Sequence, residues 1–193
     1  MTTFNDTEIN FDDEEQRLQE RIDELEAGAD SLREQIQNIQ SKGNDVPQAK
    51  RDALQQAVSE ASTLSTHRKG VVWARDHAAD SDDFPAWDEA ADSITLGAPR
   101  ARTIQRLQSD IQSAGDTQGS EQSLYIADAV VEAPFKDDGM ADGELAGVVG
   151  QLHPWFLEWA EDRVDALMDP EGNVPSSAAS PAEMSTPNSS TEE

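Results

Sequence analysis

The residues able to do chemistry are few and poorly matched. Histidine occurs only as His67, His77 and His153, at spacings that do not bring imidazoles together on one metal ion. Cysteine is absent, which removes thiolate nucleophiles, thiolate ligands and disulfides together. DHAADSDD, from Asp76 to Asp83, gathers oxygen donors of the kind a hard cation takes, with Asp80, Asp82 and Asp83 at its end. It lacks the glycine and the distant glutamate of a calcium loop, so a solvated acidic loop is expected. No glycine-rich phosphate cradle, nucleophile elbow or dinucleotide fingerprint occurs. The expectation is a protein without catalytic residues, cofactor or bound metal.

Two other groupings suit binding. Arg100, Arg102 and Arg106 form a basic island in an acidic chain; either they pair internally with Asp and Glu or they meet an acidic partner. GQLHPWFLEWAEDRVDAL, from Gly150 to Leu167, holds Trp155, Phe156 and Trp159 within five residues, although the chain is only 5% aromatic. At helical spacing Phe156, Trp159, Val164 and Leu167 share one face and are expected in the core. Trp155, next to Pro154, lies at the edge of that stripe. It is expected to stand exposed as a docking anchor, because large aromatics carry interface energy.

These residues need elements to position them, and the expected fold is all-α. Phe11, Leu18, Leu25, Leu32 and Ile39 recur every seven residues, with Ile22, Ala29 and Ile36 at the second seam position. That is a heptad stripe. SKGNDVPQ breaks it: Gly43 suits a C-terminal cap, Asp45 with Gln48 suits a capping box, and Pro47 suits a helix start. The next helix is expected to end near Ser65, with Ala53, Leu54, Ala57, Val58, Ala61 and Leu64 on one side. The predicted organisation is a flexible N-terminus over 1–10, a helical hairpin or coiled coil over 11–66 and a connector over 67–86, where Val71, Val72 and Trp73 serve as anchors. A compact helical domain over 87–169 and a disordered tail over 170–193 follow. Within that domain, DSITLG is a short extended piece, and a helix carries Ile104, Leu107 and Ile111. SLYIADAVVEAPF is a second helix with Leu124, Ala127 and Val131 inward, followed by ELAGVVGQL and by PWFLEWAEDRVDALM. The heptad also permits a homo-oligomer through residues 11–66.

The charge restricts the partners. Forty acidic and fourteen basic residues give −26, and lysine supplies only four of the positive charges. Such a field repels phosphate backbones and anionic bilayers, so neither nucleic acid nor membrane is an expected partner. Molar salt shrinks the Debye length to about 3 Å and screens this self-repulsion, which makes a halophile or its virus the expected setting. No apolar run approaches a membrane span, and MTTFNDTEINFDDEE lacks the basic and apolar regions of a signal peptide. A cytoplasmic location, that of a host cell if the protein is viral, is the expectation.

Three stretches carry a resemblance: WDEAADSITLGAPRARTIQRL, LYIADAVVEAPFKDDG and GELAGVVGQLHPWFLEWAEDRVDAL. Their order over residues 87–168, with the corner from Val131 to Phe135, resembles the tail assembly chaperones of long-tailed phages. The helices of residues 11–65 are not part of that pattern. The resemblance implies a non-enzymatic chaperone that binds tape-measure and tail-tube proteins during assembly and leaves before maturation. The candidate partner contacts are Trp155, Phe135, Arg100, Arg102 and Arg106. The alternative is a structural or adaptor protein that oligomerises through its N-terminal coiled coil.

Overall fold

Asn10 decides where the first helix begins. Its Oδ1 accepts from the backbone N–H groups of Asp12 and Asp13 at 3.0 and 3.2 Å, filling two of the orphan donors at a helix start. The computed structural model describes residues 6–81, 83, 87, 91–99, 105, 118–137 and 139–168. In chain order they form β1 (Thr7–Asn10), α1 (Phe11–Ser41), α2 (Gln48–Asp76), a 3-10 turn (Ala78–Asp80) and β2 (Ser93–Leu96). Then come α3 (Gln118–Ala129), β3 (Val130–Glu132), α4 (Asp142–Val149) and α5 (Pro154–Met168).

The chain is mainly helical, and the all-α expectation needs one correction. β1, β2 and β3 form a three-stranded antiparallel sheet in that order, with Ile9 opposite Ile94 and Leu96 opposite Val130. Two short stretches were expected otherwise. Residues 7–10, expected to be flexible, pair along β2 because Ile9 is buried there and the Phe11 N–H reaches the Asp92 carbonyl. Val130–Glu132, expected to be helical, switches from a helical period to a strand period of two. Val130 is therefore buried and Val131, expected inward, stands 40% exposed. Lys136 donates to the Val130 and Val131 carbonyls, which occupies acceptors beside this short edge strand.

The turn after α1 closes as expected at Gly43, whose φ of +75° only glycine adopts cheaply. Its N–H bonds to the Gln40 carbonyl and that of Asn44 to the Ile39 carbonyl, the paired bonds of a Schellman end. The capping box does not form. Pro47 is the N-cap of α2 and makes no side-chain cap bond, and Gln48 instead donates to Asp52 at 2.8 Å.

Helix α2 also runs past Ser65 to Asp76, so residues 67–76 are not connector. Thr66, Gly70 and the β-branched Val71 and Val72 weaken helix propensity locally. Burial outweighs that weakness: Val71, Trp73 and Ala74 all enter the core. The helix containing Ile104, Leu107 and Ile111, and the tail of 170–193, lie outside the described residues.

Helices α1 and α2 run antiparallel. Arg75 reaches Asp12 and Glu15, Arg68 reaches Glu15, Arg21 reaches Glu60, and Lys50 reaches Gln35. Glu15 occupies the seam position that the heptad fills with isoleucine or alanine further on. Two arginines of α2 hold it there. At this near end an aromatic cluster joins the elements: Trp87 lies 5.4 Å from Phe156, 5.7 Å from Trp73 and 5.2 Å from Phe135, and Phe11 lies 6.2 Å from Trp159. All but the tilted Trp87–Phe135 pair are edge-to-face, a geometry that adds to simple area burial.

Candidate docking surface

The start of α5 is set by close backbone approach. The His153 carbonyl accepts from the N–H groups of Phe156 and Leu157, and His153 Nδ1 accepts from the Trp155 N–H at 3.1 Å. Burial lowers the pKa of His153, which favours the neutral ring that this acceptor role requires. Gly70 of α2 lies directly beneath. A Cβ placed on it would sit 2.3 Å from the Trp155 carbonyl oxygen and 2.7 Å from the Phe156 nitrogen. The glycine that weakens α2 locally is thus what lets α5 pack against it.

A buried carboxylate fixes the same helix to α1. The Glu14 side chain is 3% exposed. It accepts from Arg17 Nε and Nη2 at 2.8 and 2.9 Å and from Trp159 Nε1 at 2.9 Å, and Arg163 Nε lies 3.5 Å away. Burial alone would raise its pKa. The bonds from Arg17 and Trp159 and the Arg163 charge overcome that and leave the carboxyl below its ordinary value. Arg163 is therefore turned toward Glu14 rather than available on the surface. His67, 95% buried in α2, has its Nδ1 3.9 Å from Asp162.

What α5 shows outward is Trp155 followed by acids. Trp155 is 42% exposed, whereas Trp73, Trp87 and Trp159 are buried. Its ring packs 4.7 Å from that of His153, and the Lys69 ammonium lies 5.3 Å from its centroid, a cation–π distance. Glu158, Asp162 and Asp165 are exposed on the same helix. Asp165 accepts from the Tyr125 hydroxyl at 2.6 Å, and burial together with that bond raises the tyrosine pKa. An indole heading an acidic face suits a basic segment that carries an apolar residue.

Of the residues singled out in the sequence, Trp155 is at the surface. Phe135 is not: it is 4% exposed against Trp87, so it is core and is withdrawn as a contact. Phe156, Trp159 and Val164 are fully buried and Leu167 partly so. Arg100, Arg102 and Arg106 lie outside the described residues, as does Asp82 of the acidic loop. Asp76 ends α2 paired with Arg75, and Asp80 and Asp83 are exposed. Sequence reasoning missed Glu14, Gly70 and Lys69. Only Glu14 left a trace, sitting three residues after Phe11 and four before Leu18 on the seam side of the helix.

Among the described residues no cluster of His, Asp and Glu is arranged to hold a metal, and no helix is long and apolar enough to cross a membrane. No protein-family model, curated protein or solved structure matches the chain. The likeness to tail assembly chaperones therefore rests on the three stretches quoted for it.

Proposed function

We propose that the protein is a non-enzymatic binding protein that captures a basic segment of a partner protein on the Trp155 face of α5. The specific form we favour is an assembly chaperone for the tape-measure or tail-tube protein of a tailed virus. One observation carries the reading: of four tryptophans, Trp155 alone is exposed, at the head of a helix whose outer face is acidic. Leaving an indole half in water forgoes burial energy that the core uses elsewhere. Tryptophan is also the residue type most enriched among interface hot spots. The acids around it would speed encounter with a positively charged segment.

The test is retention of a co-expressed tape-measure or tail-tube polypeptide on the immobilised chain. Trp155→Ala should weaken retention by about 2 kcal/mol or more, roughly thirty-fold in Kd, while the melting temperature stays near that of the parent. Retention unchanged by Trp155→Ala would rule out this face. Finding the chain in purified virions at stoichiometric copy number would favour a structural adaptor over a chaperone that leaves before maturation.

A further inference from the structure

The far half of the helix pair is built differently from the near half. Beyond Ile22 the heptad residues Leu25, Leu32, Ile36 and Ile39, with Leu54, Ala57, Ala61 and Leu64 of α2, are only partly buried. Ala29, beside Ala57 and Ala61, is the one seam residue there that is closed off. A groove of about 520 Å³ runs between the helices, lined by Leu25, Ala29, Ala57, Val58, Ala61 and Ser62 and ending at Lys69. Val58 stands 43% exposed on its rim. From Val58 to Lys69 is about 16 Å at 1.5 Å per residue, or three helical turns.

Charge selects the occupant. Residues 25–69 contain six acidic and six basic residues and are neutral, so the whole excess of −26 lies outside them. A two-fold contact presents the same patch twice, so any net charge on it would repel itself. Elsewhere two copies of this chain would bring together surfaces of like sign. The rim supplies both signs, with Glu26 and Asp30 on α1 and Arg33 and Lys69 nearby, so it is self-complementary. A basic partner gains nothing from a neutral groove. A face about 20 Å wide and 26 Å long covers roughly 500 Å² per copy, and two such faces reach the ~1,000 Å² that a specific interface needs.

We infer that a second copy of this chain seats its α1–α2 pair on this groove, giving a two-fold four-helix bundle through residues 25–69. The groove and the Trp155 face meet at Lys69, but the inference rests on the groove and its charge balance and not on partner capture by Trp155. Light scattering with size exclusion, on the full chain in molar potassium chloride across 5–200 µM, should give twice the 21.0 kDa chain mass at the upper end. Val58→Glu with Ser62→Glu, both at exposed positions, should return it to one chain mass with helical circular dichroism unchanged. Trp155→Ala should leave the dimer intact.

Because the chain has no cysteine, Ser62→Cys gives a single reporter thiol. Oxidised with diamide, it should cross-link into dimers at least five-fold more than Ser31→Cys, which lies on the opposite side of α1. One chain mass for the parent at 200 µM would overturn the inference. So would a dimer that survives the Val58 and Ser62 substitutions, or equal cross-linking at Ser62 and Ser31.

Discussion

Among the described residues, two helical surfaces are incompletely covered, and they differ in charge. The outer face of α5 pairs one exposed tryptophan with Glu158, Asp162 and Asp165, and its only arginine is turned inward to Glu14. The far half of the α1–α2 pair is neutral, rich in alanine and serine, and has one exposed valine. A strongly acidic face can attract only something unlike the chain itself, whereas a neutral face can accept its own copy. Apolar exposure marks both places, and local charge balance distinguishes their partners.

The near end of the molecule holds both surfaces in place, so breaking it should produce the largest effect. Phe156→Ala empties a site shared by Trp73, Trp87 and Trp159 and should cost about 3–5 kcal/mol. Thermal melts should show the loss, and binding at the Trp155 face should vanish with the fold around it. If Trp155→Ala melts the protein as badly as Phe156→Ala, the comparison between anchor and core is wrong.

Glu14→Gln should come next, at about 3 kcal/mol. A buried charge pair loses its anion while Arg163 keeps its charge, although solvent screens the half-exposed Arg17 and holds the cost at the low end of the usual range. The sign of the pH effect follows from the depressed carboxyl. Its contribution is complete above its ordinary value of 4.5 and is lost as pH falls through the lower folded value. Stability against pH below about 4.5 should therefore flatten in Glu14→Gln. An unchanged acid limb would show that Glu14 is not what the acid titrates.

Gly70→Ala sharpens the contrast between local and tertiary demands. Helix propensity alone predicts a gain of about 1 kcal/mol. The contact with the Trp155 carbonyl predicts a larger loss, within the 1–3 kcal/mol typical of overpacking. A net drop of a few degrees in Tm is expected, and a rise would mean that α5 can shift at little cost.

The smallest effect should be that of Val58→Glu with Ser62→Glu on the stability of the single chain, within about 0.5 kcal/mol for each exposed site, even as the pair abolishes the dimer. Salt gives a parallel comparison. Lowering potassium chloride toward 10 mM lengthens screening to about 30 Å and should lower Tm. The loss should appear first in tryptophan fluorescence, because Trp73, Trp87 and Trp159 are buried in the core outside the neutral segment. Equal Tm in low and molar salt would remove the electrostatic basis of the contrast.

The helices were legible where periodicity is long. The heptad of α1 needs no tertiary partner to be seen, and the αL turn at Gly43 and the start of α5 at Pro154 follow from the backbone chemistry of single residues. The split between Trp155 and its neighbours was fainter, because at 3.6 residues per turn Trp155 lies about 40° from Trp159 and only at the edge of the stripe centred on Phe156, Ala160 and Leu167. A three-residue strand offers too few positions for a period of two to stand out from a helical one, which is why Val130–Glu132 looked helical, whereas DSITLG, which became β2, was legible as an extended piece. Phe135 looked free because a corner after a proline gives no sign of which side it faces.

The sequence by itself determined two helices joined at Gly43, the neutrality of residues 25–69 and the acidity of the rest, because these depend on residue type and on spacing along a single element; a hairpin or a coiled coil fitted that pattern equally. Only the tertiary structure decided that Thr7–Asn10 is a strand, that α2 continues through Gly70, and that Glu14 and Phe135 are buried. Those outcomes depend on what lies opposite in space: β2 beside β1, the Trp155 carbonyl above a missing Cβ, Trp159 aimed at a carboxylate from 145 residues away. No pattern along one element records a neighbour that the chain supplies from elsewhere.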